Sequence, residues 1–190
     1  MALQDKFTDS AAEVRHSQNS RYALFVGSGF YANRAGITWF CEQVAPRVDV
    51  KTYIVGRGLE DLKGLLEQNG NVEFIGAVDS LSQWYRGAHF VIAPIFDGSG
   101  MKTKVAEALM FGKKIVGTAE AFSGYEEIAD QAGWLCASAG DFVAAMKTAD
   151  STINCSFNRD LRTTYETIYS FEAARARMSE IIDATCRNEQ

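Results

Sequence analysis

The stretch His89-Phe90-Val91-Ile92-Ala93-Pro94-Ile95-Phe96-Asp97-Gly98-Ser99-Gly100-Met101-Lys102-Thr103-Lys104-Val105-Ala106-Glu107-Ala108-Leu109-Met110-Phe111-Gly112 reads as a strand, a turn and a helix in direct succession. His89–Ala93 has the length and apolar content of a buried strand, Asp97 to Gly100 is a flexible turn, and Met101–Phe111 is a helix stopped by Gly112. The charges in this unit are misplaced for a free-standing helix. A helix N-terminus carries partial positive charge and unpaired N–H groups, so Lys102 and Lys104 are unfavourable there unless an anion shares the site. A phosphate satisfies both. Glu107 interrupts the apolar run from Val105 to Phe111, where a carboxylate is costly unless hydrogen-bonded, and sugar hydroxyls are suitable partners. The plainer alternative is a solvated helix face with local charge pairs. The turn, both lysines and Glu107 taken together favour a ligand.

Working outward, strands are expected at Tyr22–Val26, Lys51–Val55, Val72–Ile75, His89–Ala93, Lys114–Gly117 and Gly133–Cys136. Helices are expected between them, near Ala35–Val44, Leu59–Gln68, Ser80–Arg86, Met101–Phe111, Tyr125–Asp130 and Asp141–Thr148. Apolar strands alternating with helices imply an α/β fold: a doubly wound, Rossmann-like parallel sheet. After Ser151 the chain reads as a helical C-terminal tail, Ser156–Tyr169 then Phe171–Cys186, with Leu161, Tyr165, Ile168, Met178, Ile181 and Ile182 expected to pack. Residues 1–21 read as a polar linker or lead-in, residues 22–150 as the ligand-binding domain, and residues 151–190 as helices packed on it.

In such sheets ligands bind at the carboxyl ends of the strands, where Gly27-Ser28-Gly29, Gly56-Arg57-Gly58, Gly76-Ala77 and Asp97 to Gly100 all fall. Gly27 to Ala32 fits the dinucleotide pattern G-x-G-x-x-A. That pattern also wants an acidic residue ending the second strand, but the chain has Val55-Gly56-Arg57 there, which disfavours NAD and leaves NADP open through Arg57.

Composition narrows the function classes. The 190 residues carry a net charge of −5, with nearly half the residues hydrophobic, which suits one well-buried domain and argues against a general nucleic-acid surface. Cys41, Cys136, Cys155 and Cys186 lack the spacing of zinc or thiol-redox motifs and are expected as free thiols in a cytoplasmic protein. No apolar run is long enough to span a bilayer. His16 and His89 are the only histidines, one in the lead-in and one opening a strand, so a Ser-His-Asp arrangement lacks a base. No Asp-x-Asp stands ready to bridge a metal to a diphosphate, so lysines and helix N-termini would neutralise it without a metal or other cofactor.

The ordered segments Ala23 to Gly29, Tyr53 to Gly58, Asn71 to Val78, Pro94 to Gly112 and Lys114 to Thr118 resemble the C-terminal, donor-binding half of GT-B glycosyltransferases of the large retaining group. The resemblance covers Tyr22 to Leu135. It implies that Glu107 holds the nucleotide ribose and that Lys102 and Lys104 stabilise the diphosphate leaving group. It also implies that Asp97, Gly98, Ser99, Gly100 and Met101 meet the donor sugar, and that Gly27, Gly29, Asn33, Arg57, Ala77 and Val78 belong to the donor crevice. Many relatives carry a Glu eight residues before the ribose Glu, where this chain has Ser99; its Gly98 to Lys104 turn is similar to a subgroup that uses backbone and lysines instead. The implied donor is a UDP- or GDP-sugar, and the implied partner is an N-terminal acceptor-binding domain outside this chain, through which any peripheral membrane contact would run. A non-catalytic nucleotide-binding module and an NADP-binding domain remain the alternatives.

Overall fold

Strands β1 (Tyr22–Val26), β2 (Lys51–Val55), β3 (Val72–Gly76), β4 (Phe90–Ala93), β5 (Ile115–Thr118) and β6 (Gly133–Cys136) form one sheet in the order β3-β2-β1-β4-β5-β6. Every pairing is parallel. The computed structural model describes residues 5–7, 21–98 and 102–188. The expected lead-in from Asp9 to Ser20 and the donor-loop residues Ser99, Gly100 and Met101 lie outside these. The main helices are α1 (Tyr31–Gln43), α2 (Lys63–Leu66), α3 (Ser82–Gly87), α4 (Thr103–Met110), α5 (Ala129–Ala132), α6 (Ala139–Thr152), α7 (Arg159–Thr164) and α8 (Phe171–Asn188).

The strands are apolar on both sides because helices cover both faces. Tyr22 and Leu24 of β1 pack with Val91 of β4, Tyr85 of α3 and Val105 and Leu109 of α4. Ala23 and Phe25 point the other way, into a cluster with Phe90 and Ile92 of β4, Ile37 and Phe40 of α1, and Phe142 and Met146 of α6. Each such large side chain contributes about 1.5–3 kcal/mol on burial. β1 lies between β2 and β4, aligned with Ala23 opposite Phe90 and Leu24 opposite Val91. Connections leave β1 toward opposite edges, so the crevice between the carboxyl ends of β1 and β4 is the switch point of the sheet.

Departures from the sequence expectations are local. The helix expected from Leu59 to Gln68 is a 3-10 turn, Glu60–Leu62, followed by the single turn of α2, in which Leu66 is buried and Leu65 partly so. Gly64 inside that span weakens a continuous helix. Leu161 and Tyr165 are buried as expected, but Ile168, Met178, Ile181 and Ile182 are 42%, 60%, 62% and 54% exposed. A π-helical segment, Tyr165–Tyr169, precedes α8, and beyond Ala174 the side chains of α8 are exposed as far as Thr185. Core packing is therefore the wrong expectation for this stripe.

At the other end, Asp5, Lys6 and Phe7 are fixed on the body of the domain. Phe7 packs edge-on to Phe111 and beside Phe157, between the guanidinium groups of Arg86 and Arg162 at 4.3 and 4.7 Å. Arg162 also holds the Asp5 carboxylate and the Met110 carbonyl. Among the described residues, Cys41 and Cys136 are buried free thiols and Cys155 is an exposed one.

Candidate functional site

Helix α4 starts at Thr103, two residues later than expected, so Lys102 occupies its N-cap and Lys104 its first turn. No side chain caps α4, and no acidic residue lies in its first turn. Lys102, only 11% exposed at its side chain, donates to the Gly98 carbonyl and to Glu120 Oε1, the latter at 2.5 Å. Gly98 is further shaped by Asp97, whose Oδ1 accepts from the Gly98 amide at 2.6 Å and whose Oδ2 accepts from the Tyr31 hydroxyl at 3.2 Å.

Lys104 crosses to the first loop. Its Nζ donates to Asn33 Oδ1 at 2.7 Å and stands 5.3 Å from the centre of the Phe25 ring. Asn33 is held in turn by donating to the Ser28 carbonyl at 3.0 Å, which presents its amide oxygen to the lysine. Burial pushes the Lys104 ammonium down to about 8, with Glu107 opposing the shift and Lys102 adding to it. An extra negative charge would relieve both the desolvation and the repulsion. Glu107 lies one helical turn along, with its Oε2 accepting from the Tyr85 hydroxyl at 2.9 Å.

These side chains line two adjoining cavities. The larger, about 460 Å³, is bordered by Gly27, Arg57, Ala77, Val78, Leu81 and Glu107. The smaller, about 220 Å³, is bordered by Phe30, Ile95, Asp97, Gly98, Lys102 and Ala121. Ser28, Asn33, Thr103 and Lys104 line both and so mark their junction. The larger cavity falls in the range of small-molecule pockets.

Of the residues expected in the donor crevice, all described ones border a cavity except Gly29. Its glycine is needed for a different close approach. A Cβ at Gly29 would overlap the Gly58 carbonyl, while Gly56, at φ +146°, lies against the Gly27 carbonyl. The Gly29 amide also donates to the Arg57 carbonyl at 2.8 Å. The first two loops are thus locked backbone to backbone, which sets the wall of the site. Arg34, early in α1, is committed to Asp61 and the Gly58 carbonyl. His89 is 6% exposed with its pKa lowered, chiefly by burial. Sequence reasoning missed Thr103, Tyr85 and Glu120. Tyr85 beside Trp84 in α3 was the one available signal, because a tyrosine hydroxyl needs a partner once buried.

A six-stranded parallel sheet with its crevice at the β1/β4 switch point, a cationic α4 start and a helical C-terminal end defines a Rossmann-like domain of the GT-B kind. Residues 20–150 match the family model for glycosyl transferases group 1, and the chain belongs to that family. Solved structures that share the fold include HepE, TarM and WaaG. HepE of Anabaena in complex with UDP and glucose is 12% identical with a TM-score of 0.69, covering 87% of this chain and 49% of its own. TarM is 17% identical with a TM-score of 0.67, covering 87% and 36%. WaaG, a glycosyltransferase involved in lipopolysaccharide biosynthesis, is 19% identical with a TM-score of 0.58, covering 77% and 41%. The chain thus spans half or less of the length of these relatives. A comparison with curated proteins gives no significant match.

Proposed function

We propose that this chain is the donor-binding half of a glycosyltransferase that moves a sugar from a nucleoside diphosphate sugar to an acceptor. The observation that carries the reading is the position of Lys104 at the junction of the two cavities, with Glu107 bordering one and Lys102 the other. A nucleoside in the larger cavity offers its ribose to Glu107 and its base to the wall formed by Arg57, Ala77 and Val78. The diphosphate crosses Thr103 and Lys104 toward Lys102, and the sugar meets Asp97 and Gly98 in the smaller cavity.

Chemically, the domain's share is electrostatic. Breaking the bond from sugar to diphosphate builds negative charge on the leaving oxygen, and preorganised cations lower that barrier. Lys102 and Lys104 supply the charge directly, which supports transfer without a metal. Retention of configuration follows from the family resemblance, as does an acceptor-binding domain preceding residue 22. Residues 22–150 form the donor unit, and α7 with the π-helical segment after it packs against that unit through Leu161 and Tyr165. No helix among the described residues is long and apolar enough to cross a membrane; the cytoplasm is the proposed compartment, where nucleotide sugars are at hand. HepE, with its UDP and glucose, supports a UDP-sugar as the first donor to try.

Calorimetric titration with UDP, GDP and NADP tests this reading. Binding of UDP or GDP is the expected result, and binding of NADP alone overturns it.

A further inference from the structure

Tyr85 is 1% exposed, yet its hydroxyl is spent on a charged group of the site rather than on the backbone. Glu107 and Phe111 are four residues apart and share one face of α4, and the Tyr85 ring spans them. It stacks flat on Phe111, with centroids 5.0 Å apart and planes within 3°, while its hydroxyl reaches Glu107 Oε2. Phe111 is backed in turn by Phe7, and the Tyr85 side chain is closed off from solvent. Among the described residues, no other hydrogen bond to the Glu107 carboxylate is found, which leaves one oxygen for the cavity that Glu107 borders.

The alternative pull on Glu107 comes from Lys104, whose ammonium it already stabilises. A carboxylate released from Tyr85 would swing between the cavity and that lysine, and ordering it on ligand binding would then cost side-chain entropy. We infer that Tyr85 is a positioning residue that holds Glu107 toward the ribose diol of the bound nucleotide, and thereby sets a preference for ribose over deoxyribose. The inference rests on the assignment of the larger cavity to a nucleoside. Burial and the adjacent Glu107 raise the Tyr85 pKa well above its usual value, so the hydroxyl remains a donor through the working pH range.

The test is a set of affinities for UDP, GDP and their 2′,3′-dideoxy analogues, measured on the full chain. The wild type should prefer the ribose form by about tenfold or more, as expected for hydroxyls donating to a carboxylate. Tyr85→Phe should reduce that ratio by about threefold to fivefold and leave affinity for the dideoxy form unchanged. In a Glu107→Gln background the same Tyr85→Phe change should alter the ratio no further. Equal weakening of ribose and dideoxy forms, or a ratio that survives Tyr85→Phe, makes Tyr85 structural and overturns the inference. Should Tyr85→Phe not fold, a ratio unaffected by Glu107→Gln alone overturns it, since Tyr85 then has nothing to position, and a lost ratio supports it. A wild type that binds UDP or GDP without preferring ribose refutes the ribose assignment itself. Failure to bind any nucleotide refutes the proposed function, and the inference falls with it.

Discussion

In the proposed role Lys104 meets two opposing demands: its ammonium is buried, and it must stay charged to hold a phosphate. Its pKa of about 8 lies below the ordinary lysine value of 10.5, so as pH falls through that window the unfolded chain takes up the proton first and folding loses stability. Below about 8 the folded chain is protonated too and the loss stops. A bound diphosphate favours the ammonium and raises the pKa again. Nucleoside diphosphate binding between pH 8 and 9.5 should therefore take up a proton, and affinity should fall as pH rises across that range. Calorimetry in buffers of different ionisation enthalpy reads this directly; the phosphate's own second ionisation, near pH 6, lies outside the window. Lys104→Ala or Lys102→Ala should weaken nucleoside diphosphate binding by roughly 1.5–3 kcal/mol and leave the bare nucleoside unaffected, because only the diphosphate carries the charge they meet. Equal losses for both ligands would remove the phosphate assignment.

The turn after β5 adds a competitor for that charge. Glu120, in the 3-10 turn Glu120–Phe122 after β5, holds Lys102 at 2.5 Å, on the cation proposed to meet a phosphate. Because the glutamate is more exposed than the lysine, the pair is partly screened and its exchange for a doubly charged ligand is cheap. Glu120→Gln should tighten nucleoside diphosphate binding by about twofold to fivefold at low salt, with the gain shrinking as salt rises. Weaker binding in that variant would instead make Glu120 a support that orients Lys102. Nothing in the sequence marks Glu120, since it follows a strand as any solvated turn residue does, and its role exists only once β5 and α4 lie side by side. The central strands were legible because parallel strands covered on both faces leave uninterrupted apolar runs, such as Ala23-Leu24-Phe25-Val26 and Phe90-Val91-Ile92-Ala93. The site's loops were legible through their glycines, although the glycine of Gly29 serves Gly58 rather than a ligand. Phe7 was not legible. A three-residue contact has no period, and its partners Arg86, Phe111, Phe157 and Arg162 come from far along the chain.

At the scale of the whole molecule, the crevice opens at the carboxyl edge of one sheet, and among the described residues nothing faces it from across the opening. Aromatic side chains stand exposed at that edge, with Phe30, Tyr31 and Phe96 each about half accessible. Transfer between two substrates needs both held in register, and that positioning accounts for a large part of the rate enhancement in two-substrate reactions. Spanning half or less of its structural relatives, the chain is expected to bind a donor or its nucleoside diphosphate while failing to sustain acceptor-dependent transfer alone. Slow hydrolysis of the donor is compatible with this, because water needs no acceptor surface. Adding an acceptor-binding domain, fused before residue 22 or supplied as a separate chain, should bring acceptor-dependent product without changing donor affinity by more than a few fold. The decisive assay follows nucleotide-sugar turnover by the verified monomer over a range of acceptors and concentrations. Robust acceptor-dependent product from that monomer would refute the half-enzyme reading, whereas turnover that rises steeply with protein concentration would point to a cleft built between two copies.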